Sequence, residues 1–360
     1  MKKIMIGALI LLLVVMAGAG CQSQAPPETG SGEQSEKLEK QHIGITAGRP
    51  GDMWYVLSHA LATFINERSD WLTAEVVATA GVTDNTRLLM GEQELRSNHL
   101  NVTMHPGATV WGEGEYMPLQ IGMLGMLNET WVTLDPNIKT IKDFENKTVV
   151  LPRDAPYSYA WLFRNWIEQA GVNNVKLMHG GISARLTALR DGAAQVGVLP
   201  FDFYFPDEYA LSASLMELGA RGTLYFPNQG DISANLEQAA NASRLDPFVD
   251  GKEQPPMSMV APAGALDATQ TEDMVYIGTP VFWSAGGEVP EDVVYEVTRI
   301  LYEAAQNGDF APYHSMGKGI TPEFLTMSFW QSEEERKQYY HPGALRFYEE
   351  AGLELKAFTQ

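Results

Sequence analysis

Apolar residues alternate with small or polar ones over residues 43–47, then recur at three- and four-residue spacing from Trp54 and Tyr55 through Leu57, Leu61 and Phe64. A period of two followed by a period near 3.6 predicts a strand running into a helix. Between them lies Gly48-Arg49-Pro50-Gly51-Asp52, with Asp52 placed to cap the helix. A turn of this kind, at the carboxyl end of a strand, collects free backbone amides and the positive end of a helix dipole at one spot. That suits a small anionic or polar ligand, although an ordinary strand-to-helix connection has the same pattern.

The pattern then repeats. Residues 72–78 (LTAEVVA) predict a second strand, followed by a turn and a helix through Leu88, Leu89 and Met90 that Thr83 or Asp84 can cap. Residues 100–116 predict a strand that breaks at His105-Pro106-Gly107, and residues 120–126 and 131–134 predict two more strands. After a strand at 148–151, with Asp154 and Pro156 suited to the helix start that follows, come three strand-helix units. These pair 175–178 with 182–190, 195–199 with 207–218, and 223–226 with 231–240. Residues 257–261 begin a return, 274–283 form an apolar strand, and Pro290 opens a helix of 3.6 periodicity. Strands alternating with helices predict an α/β fold with mostly parallel sheets.

The amino terminus reads differently. Lys2 and Lys3, an apolar run over residues 4–16, and small residues up to Cys21 have the plan of a secretory signal, the run being too short to span a membrane. Residues 22–40 are Pro, Gly, Ser, Gln and charge, a flexible tether with a reach of roughly 25 Å. Cys21 is the single cysteine, so no disulfide forms within one chain and the exported part holds no thiol nucleophile or Cys-based zinc site.

Charge narrows the function further. Against 25 Lys and Arg stand 45 Asp and Glu, a formal net charge of −20, with an isoelectric point near 4.7. Nucleic acid and electrostatic adhesion to anionic lipid are disfavoured, and any anion site must be made locally against that field. The chain has no nucleophile elbow, His-Glu-x-x-His, phosphate loop or dinucleotide fingerprint. Seven scattered histidines support no metal site, and no cofactor is expected.

Several stretches together resemble one family, the TAXI-type solute receptors of TRAP transporters. Gly48 to Tyr55 corresponds to the family's Gly-rich loop with a tyrosine pair, and Ala78 to Asn85 to its Ala-Thr-Gly-Gly-Ser-x-x-Asn turn, with Val82 in place of the Ser. Residues 137–147, 184–200 and 289–298 follow its later segments, and residues 340–352 (YHPGALRFYEEAG) match its terminal motif nearly residue for residue. There His341 and Pro342 begin a helix, and Arg346 and Glu350 are spaced to pair across one turn. Cys21 is placed like the acylated cysteine of a bacterial lipoprotein signal, with Gly18 where Leu is usual.

The resemblance implies an α/β, two-lobed periplasmic-binding-protein-like (type II) fold with a hinge between lobes. Residues 1–20 would be a lipoprotein-type signal peptide, 21–40 a tether, 41–140 and 260–360 lobe I, and 141–259 lobe II. The chain would perform no chemistry. It would capture a small organic acid or amino acid, glutamate- or 2-oxoglutarate-like, and hand it to a TRAP permease, touching the membrane only through a lipid anchor at Cys21. Ligand contacts would come from Arg49, Asp52, Trp54 and Tyr55, from Thr83 and Asn85, and from Thr103 and His105. Further contacts would come from Arg153, Tyr157, Ser158 and Tyr159, and from Phe201 and Tyr204.

The pocket positions depart from the family. Thr103, Met104 and His105 stand where a Gln-Ser-Asp cluster is usual, and residues 152–159 replace a Gly-Ser-Gly-Thr loop. With Val82, Met104, Tyr157 and Tyr159 in place of small polar residues, a more aromatic carboxylate is the expected solute. A lone histidine before proline, as at His105, is more often a turn residue than a ligand contact, and Trp111 is more often a packing residue than a ligand platform. Arg153 suits either a bidentate grip on a carboxylate or a salt bridge with Asp154 or another acid. The aromatics at 201–205 either close over a ligand or pack in the core. An ABC importer or a sensor kinase would use a similar receptor, and a hydrolase is the rival of another class.

Overall fold

The computed structural model describes residues 39–104, 116–153, 159–228, 257–328 and 332–357; the signal segment, most of the tether, the helix expected at 231–240 and Trp111 lie outside them. The strands are β1 (Gln41–Gly48), β2 (Leu72–Ala78), β3 (His99–Thr103), β4 (Pro118–Thr133), β5 (Thr148–Leu151), β6 (Lys176–His179), β7 (Val196–Tyr204), β8 (Glu208–Ala210), β9 (Met257–Ala261), β10 (Met274–Gly286), β11 (Met327–Ser328) and β12 (Lys356–Ala357). The helices are α1 (Met53–Arg68), α2 (Val82–Gly91), α3 (Tyr159–Gln169), α4 (Ile182–Arg190), α5 (Ala213–Gly219), α6 (Glu291–Asn307), α7 (Pro322–Leu325), α8 (Glu333–Tyr339) and α9 (Pro342–Glu350). Short 3-10 turns cover Ile141–Phe144 and Ser315–Gly319.

One sheet runs in the order β2-β1-β3-β10-β4-β7-β5-β6, with β8 edging β7 and β9 edging β10. β1 is parallel to both β2 and β3, and β5 is parallel to both β6 and β7. Between these two parallel sets run β10 and β4, antiparallel to their neighbours. Each set therefore has the same plan: three parallel strands joined by helical crossovers, closed by an antiparallel strand that arrives from the other side. The α/β, two-lobed type II architecture follows from this mirrored order.

β4 makes the join. It pairs with β10 from Pro118 to Glu129 and with β7 from Asn128 to Thr133, so it changes partner at Asn128-Glu129. The sequence pattern predicts two strands here, broken over residues 127–130. Instead the strand is continuous, because the ladders to β10 and β7 pair the backbone at Asn128, Glu129 and Thr130 while these residues are buried.

On the β1 side, α1 lays Leu57, Leu61, Phe64 and Ile65 on a core shared with α6 and α9. On the β5 side, Trp131, Phe144, Phe163 and Trp166 form a chain of edge-to-face rings with centroids 4.9 to 5.1 Å apart. Burying each such side chain contributes about 1.5–3 kcal/mol against the chain entropy.

Three further local expectations change. The helix expected over 207–218 is a short strand, β8, then α5, capped by the Ser212 hydroxyl accepting the Leu215 amide at 3.3 Å. The strand expected at 223–226 is a single bridge from Tyr225 to Thr133. Arg346 does not pair with Glu350: it donates to Asp292 on α6 at 2.7 Å, while the Tyr295 hydroxyl donates to Glu350 at 2.7 Å.

Candidate functional site

The carboxyl ends of β1, β5, β6 and β7 converge with the partner-switching stretch of β4 on a cavity of about 750 Å³. Residues 314–316, after α6, close one side of it. This is where parallel α/β sheets present loop residues to a ligand.

The first wall is the turn from β1 into α1. Gly48 and Gly51 take φ of +112° and +88°, which an L side chain rarely adopts. The turn closes through the Asp52 amide donating to the Arg49 carbonyl at 3.0 Å. Asp52 is the N-cap residue, as expected, but its side chain makes no capping bond and lines the cavity instead. Arg49 lines it too, with no acid partner among the described residues. Trp54 stands against β4: a Cβ added at Gly125 would lie 2.9 Å from its ring.

The facing wall comes from the other parallel set. Arg153, at the end of β5, is exposed and unpaired among the described residues. Its guanidinium lies against Gly181, where an added Cβ would be 3.4 Å from Nε. Gly181 is the N-cap of α4 and makes no side-chain cap. A cation laid on the positive end of a helix is electrostatically unfavourable unless an anion joins them.

Beneath it, the Arg185 side chain is buried. Nη1 donates to the Val198 carbonyl and Nη2 to Glu129 Oε1, each at 2.7 Å. Arg185 Nε, Glu129 Oε2 and Asn128 Oδ1 have no partner among the described residues. Asp202, at the end of β7, is half-buried; its Oδ2 accepts from the Tyr204 hydroxyl at 3.3 Å and from the Ser315 hydroxyl at 3.5 Å. Burial pushes its carboxyl above the usual range. Burial pulls the nearby His314 imidazole below its usual value, partly offset by the Asp202 charge. His314 Nδ1 accepts the Met316 amide at 3.1 Å, leaving the ring proton on Nε2.

Of the residues expected here, Arg49, Asp52, Trp54, Arg153 and Phe201 line the cavity. Tyr55, in the first turn of α1, packs against the core. Asn85 is fully buried, accepting from the Thr79 hydroxyl and donating to the Val102 carbonyl at 2.8 Å, so it ties α2 to β3 and stays out of the cavity. The N-cap of α2 is Gly81, which leaves Thr83 and Asp84 in the first turn. Thr103 is buried on β3, and Tyr204 is buried behind Asp202. Tyr159 opens α3. His105, Tyr157 and Ser158 lie outside the described residues. Val82 and Met104 pack on the core, so they do not set the pocket chemistry as expected. Of the aromatics at 201–205, Phe201 packs on Tyr276 at 4.7 Å, Phe203 on Tyr209 at 5.2 Å and Phe205 on Phe324 at 5.7 Å, so core packing describes them.

Sequence reasoning missed Gly180 to Arg185 and residues 314–316, and within the expected contact stretch 201–204 it singled out Phe201 and Tyr204 but not Asp202. The Gly180-Gly181 pair carries the same strand-to-helix signal as the first turn and could have been found. In the stretch 201–205 the aromatics, not Asp202, drew the reading, and residues 314–316 follow no pattern. No group of three or more His, Cys, Asp or Glu among the described residues is placed to hold a metal ion. No helix among them is long and apolar enough to cross a membrane.

Residues 248–352 match the family model described as the NMT1-like family. That stretch covers less than a third of the chain and includes the terminal motif. Among solved structures, the chain is similar to a putative periplasmic sulfonate-binding protein of an ABC transporter from Methylobacillus flagellatus. The two share 12% identity over 88% of each chain, with a TM-score of 0.45. It is also similar to a probable amino-acid ABC transporter extracellular-binding protein from Bacillus subtilis (12% identity, 76% of this chain and 96% of that one, TM-score 0.41). An arginine transport system periplasmic binding protein from Legionella pneumophila aligns with 13% identity over 77% of this chain and 99% of that one, with a TM-score of 0.34.

Proposed function

We propose that this chain is an extracytoplasmic solute receptor that captures a small organic anion in the cavity and delivers it to a membrane permease without chemical turnover. One observation carries the reading. In a chain of net charge −20, two arginines without acid partners among the described residues, Arg49 and Arg153, stand beside the N-termini of α1 and α4 on one cavity. Unpaired cations at helix N-termini are unfavourable without an anion and favourable with one. Because Arg49 comes from one parallel set and Arg153 from the other, an anion held by both draws the two lobes together by hinge motion about β4 and β10.

The anion is a carboxylate, glutamate- or 2-oxoglutarate-like or more aromatic, in keeping with the family resemblance over residues 41–352. The permease is of the TRAP type, and a lipid on Cys21 holds the exported chain at the membrane face. Residues 41–140 with 260–360 form one lobe and 141–259 the other, in keeping with the partner switch of β4.

A thermal-shift screen of the purified chain against dicarboxylates, amino acids, keto acids, aromatic acids and sulfonates tests the reading. A ligand that binds only the folded state raises the melting midpoint. At least one anion is expected to do so, with the effect lost in Arg153→Ala; no shift with any anion sinks the proposal. Co-purification with membrane subunits separates a TRAP permease from an ABC importer. Cys21→Ser is expected to release the protein from the membrane fraction.

A further inference from the structure

We infer that Asp202 is the docking point for a protonated amine, so that the cleft selects solutes carrying a cationic group as well as an anion. This rests on the anion-receptor reading and adds the second half of the ligand.

The inference starts from charge pairing. Several buried or half-buried acids among the described residues hold cations: Glu129 holds Arg185 at 2.7 Å, Glu296 holds Arg299 at 2.9 Å, and Asp309 holds Arg68; others, Asp135 and Asp267, are met at 2.9 Å by backbone amides. Asp202 lines the cavity and has no cation partner among the described residues; its partners are two neutral hydroxyls at 3.3 and 3.5 Å. Those distances lie beyond the usual range for a hydroxyl on a carboxylate. A half-buried carboxylate held only by long neutral contacts is costly, and burial does push its carboxyl upward. Asp52, the other acid on the cavity, is exposed, so water meets its charge.

His314 does not supply the missing cation. Its Nδ1 is committed to the Met316 amide, and burial favours the neutral ring. An ammonium group fits the vacancy in charge: one N–H to Asp202, with the hydroxyl of Ser315, which reaches Asp202 at 3.5 Å, as a further acceptor. With Arg49 and Arg153 receiving the anion elsewhere on the cavity, a solute bearing both groups also brings a counter-charge to Asp202. A plain carboxylate or sulfonate leaves Asp202 desolvated and unpaired on closure.

The test compares matched pairs on the intact chain at pH 7.5 by calorimetry: glutamate with glutarate and 2-oxoglutarate, phenylalanine with 3-phenylpropionate and phenyllactate, taurine with ethanesulfonate and isethionate. Each set differs at the amine, which is absent or replaced by a carbonyl or hydroxyl. In at least one set the amine-bearing member is expected to bind about ten- to hundredfold more tightly, the worth of one charged hydrogen bond. In Asp202→Asn that preference is expected to vanish, the amine-bearing member losing affinity while the amine-free members, freed of a desolvated carboxylate, lose none. Amine-free or hydroxyl members binding as tightly as their amine partners to the wild type, or a preference that survives in Asp202→Asn, overturns the inference and leaves the anion-receptor reading standing. Binding by no member overturns both. The wild-type comparison decides the matter even where Asp202→Asn fails to fold.

Discussion

At His341 both ring nitrogens are committed: Nδ1 accepts the Gly343 amide at 3.2 Å, and Nε2 donates to the Val289 carbonyl at 3.1 Å. Only the neutral ring satisfies both, and burial holds its pKa down to about 4. The unfolded value is about 6.5. Above that pH both states are neutral and the folded state loses nothing. As pH falls through 6.5 the unfolded chain takes up the proton first, so stability drops by roughly 3 kcal/mol by pH 4. In denaturant titrations, the stability difference between wild type and His341→Gln is expected to narrow by that order between pH 7 and pH 4; an unchanged difference would refute this account. Gly343, two residues on, is fixed by contact. An added Cβ would sit 2.2 Å from the Glu291 carbonyl and 2.9 Å from the Tyr295 amide. Gly343→Ala must therefore push α9 off α6, at an expected cost of about 2 kcal/mol or more, read as a lowered melting midpoint. The His-Pro-Gly-Ala motif was legible as a helix start because Pro and a capping side chain are local signals. The helix-helix contact that demands its glycine is not local, and neither is the choice of Asp292 over Glu350 as the partner of Arg346.

Among the elements, β4 shows why the sheet was only partly legible. The strands that bury apolar residues continuously, such as β5, and the helices with clear punctuation, such as α6 between Pro290 and Gly308, follow from the local pattern alone. β4 does not, because Asn128, Glu129 and Thr130 interrupt its apolar run and read as a turn. Arg185, on a different element, is what makes Glu129 tolerable there. The pair clamps the strand where it changes partner to the helix whose N-terminus faces the cavity. Glu129→Gln leaves Arg185 buried without a counter-charge, and chemical denaturation is expected to show a loss of about 3–5 kcal/mol. Replacing both residues by apolar ones, Glu129→Leu with Arg185→Met, is expected to recover most of it, because the desolvation cost then disappears with the charges. A double variant as unstable as the single one would mean that the loss comes from packing and not from charge.

For the molecule as a whole, the candidate site was legible only where a strand end and a helix start adjoin in sequence. Arg49, Asp52, Trp54 and Arg153 were found that way; Asp202 and residues 314–316 reach the cavity through the fold, and no local signal announces them. Net charge was legible from the start and has a consequence for kinetics. A chain of charge −20 repels an anion at long range, whereas Arg49, Arg153 and two helix N-termini attract it once it is inside the cavity. Salt acts on these two regimes unequally. Between 0.01 and 0.15 M the screening length falls from about 30 Å to about 8 Å, so the repulsive outer field is weakened more than the contacts within the cavity. Association of an anionic solute, followed by stopped-flow fluorescence of Trp54 at the cavity wall, is therefore expected to speed up a few-fold over that range while dissociation changes little. A receptor whose cavity field reached beyond the surface would show the reverse, with association slowing as salt rises. That result would mean the arginines act as a long-range funnel and would remove the argument that the anion site is strictly local.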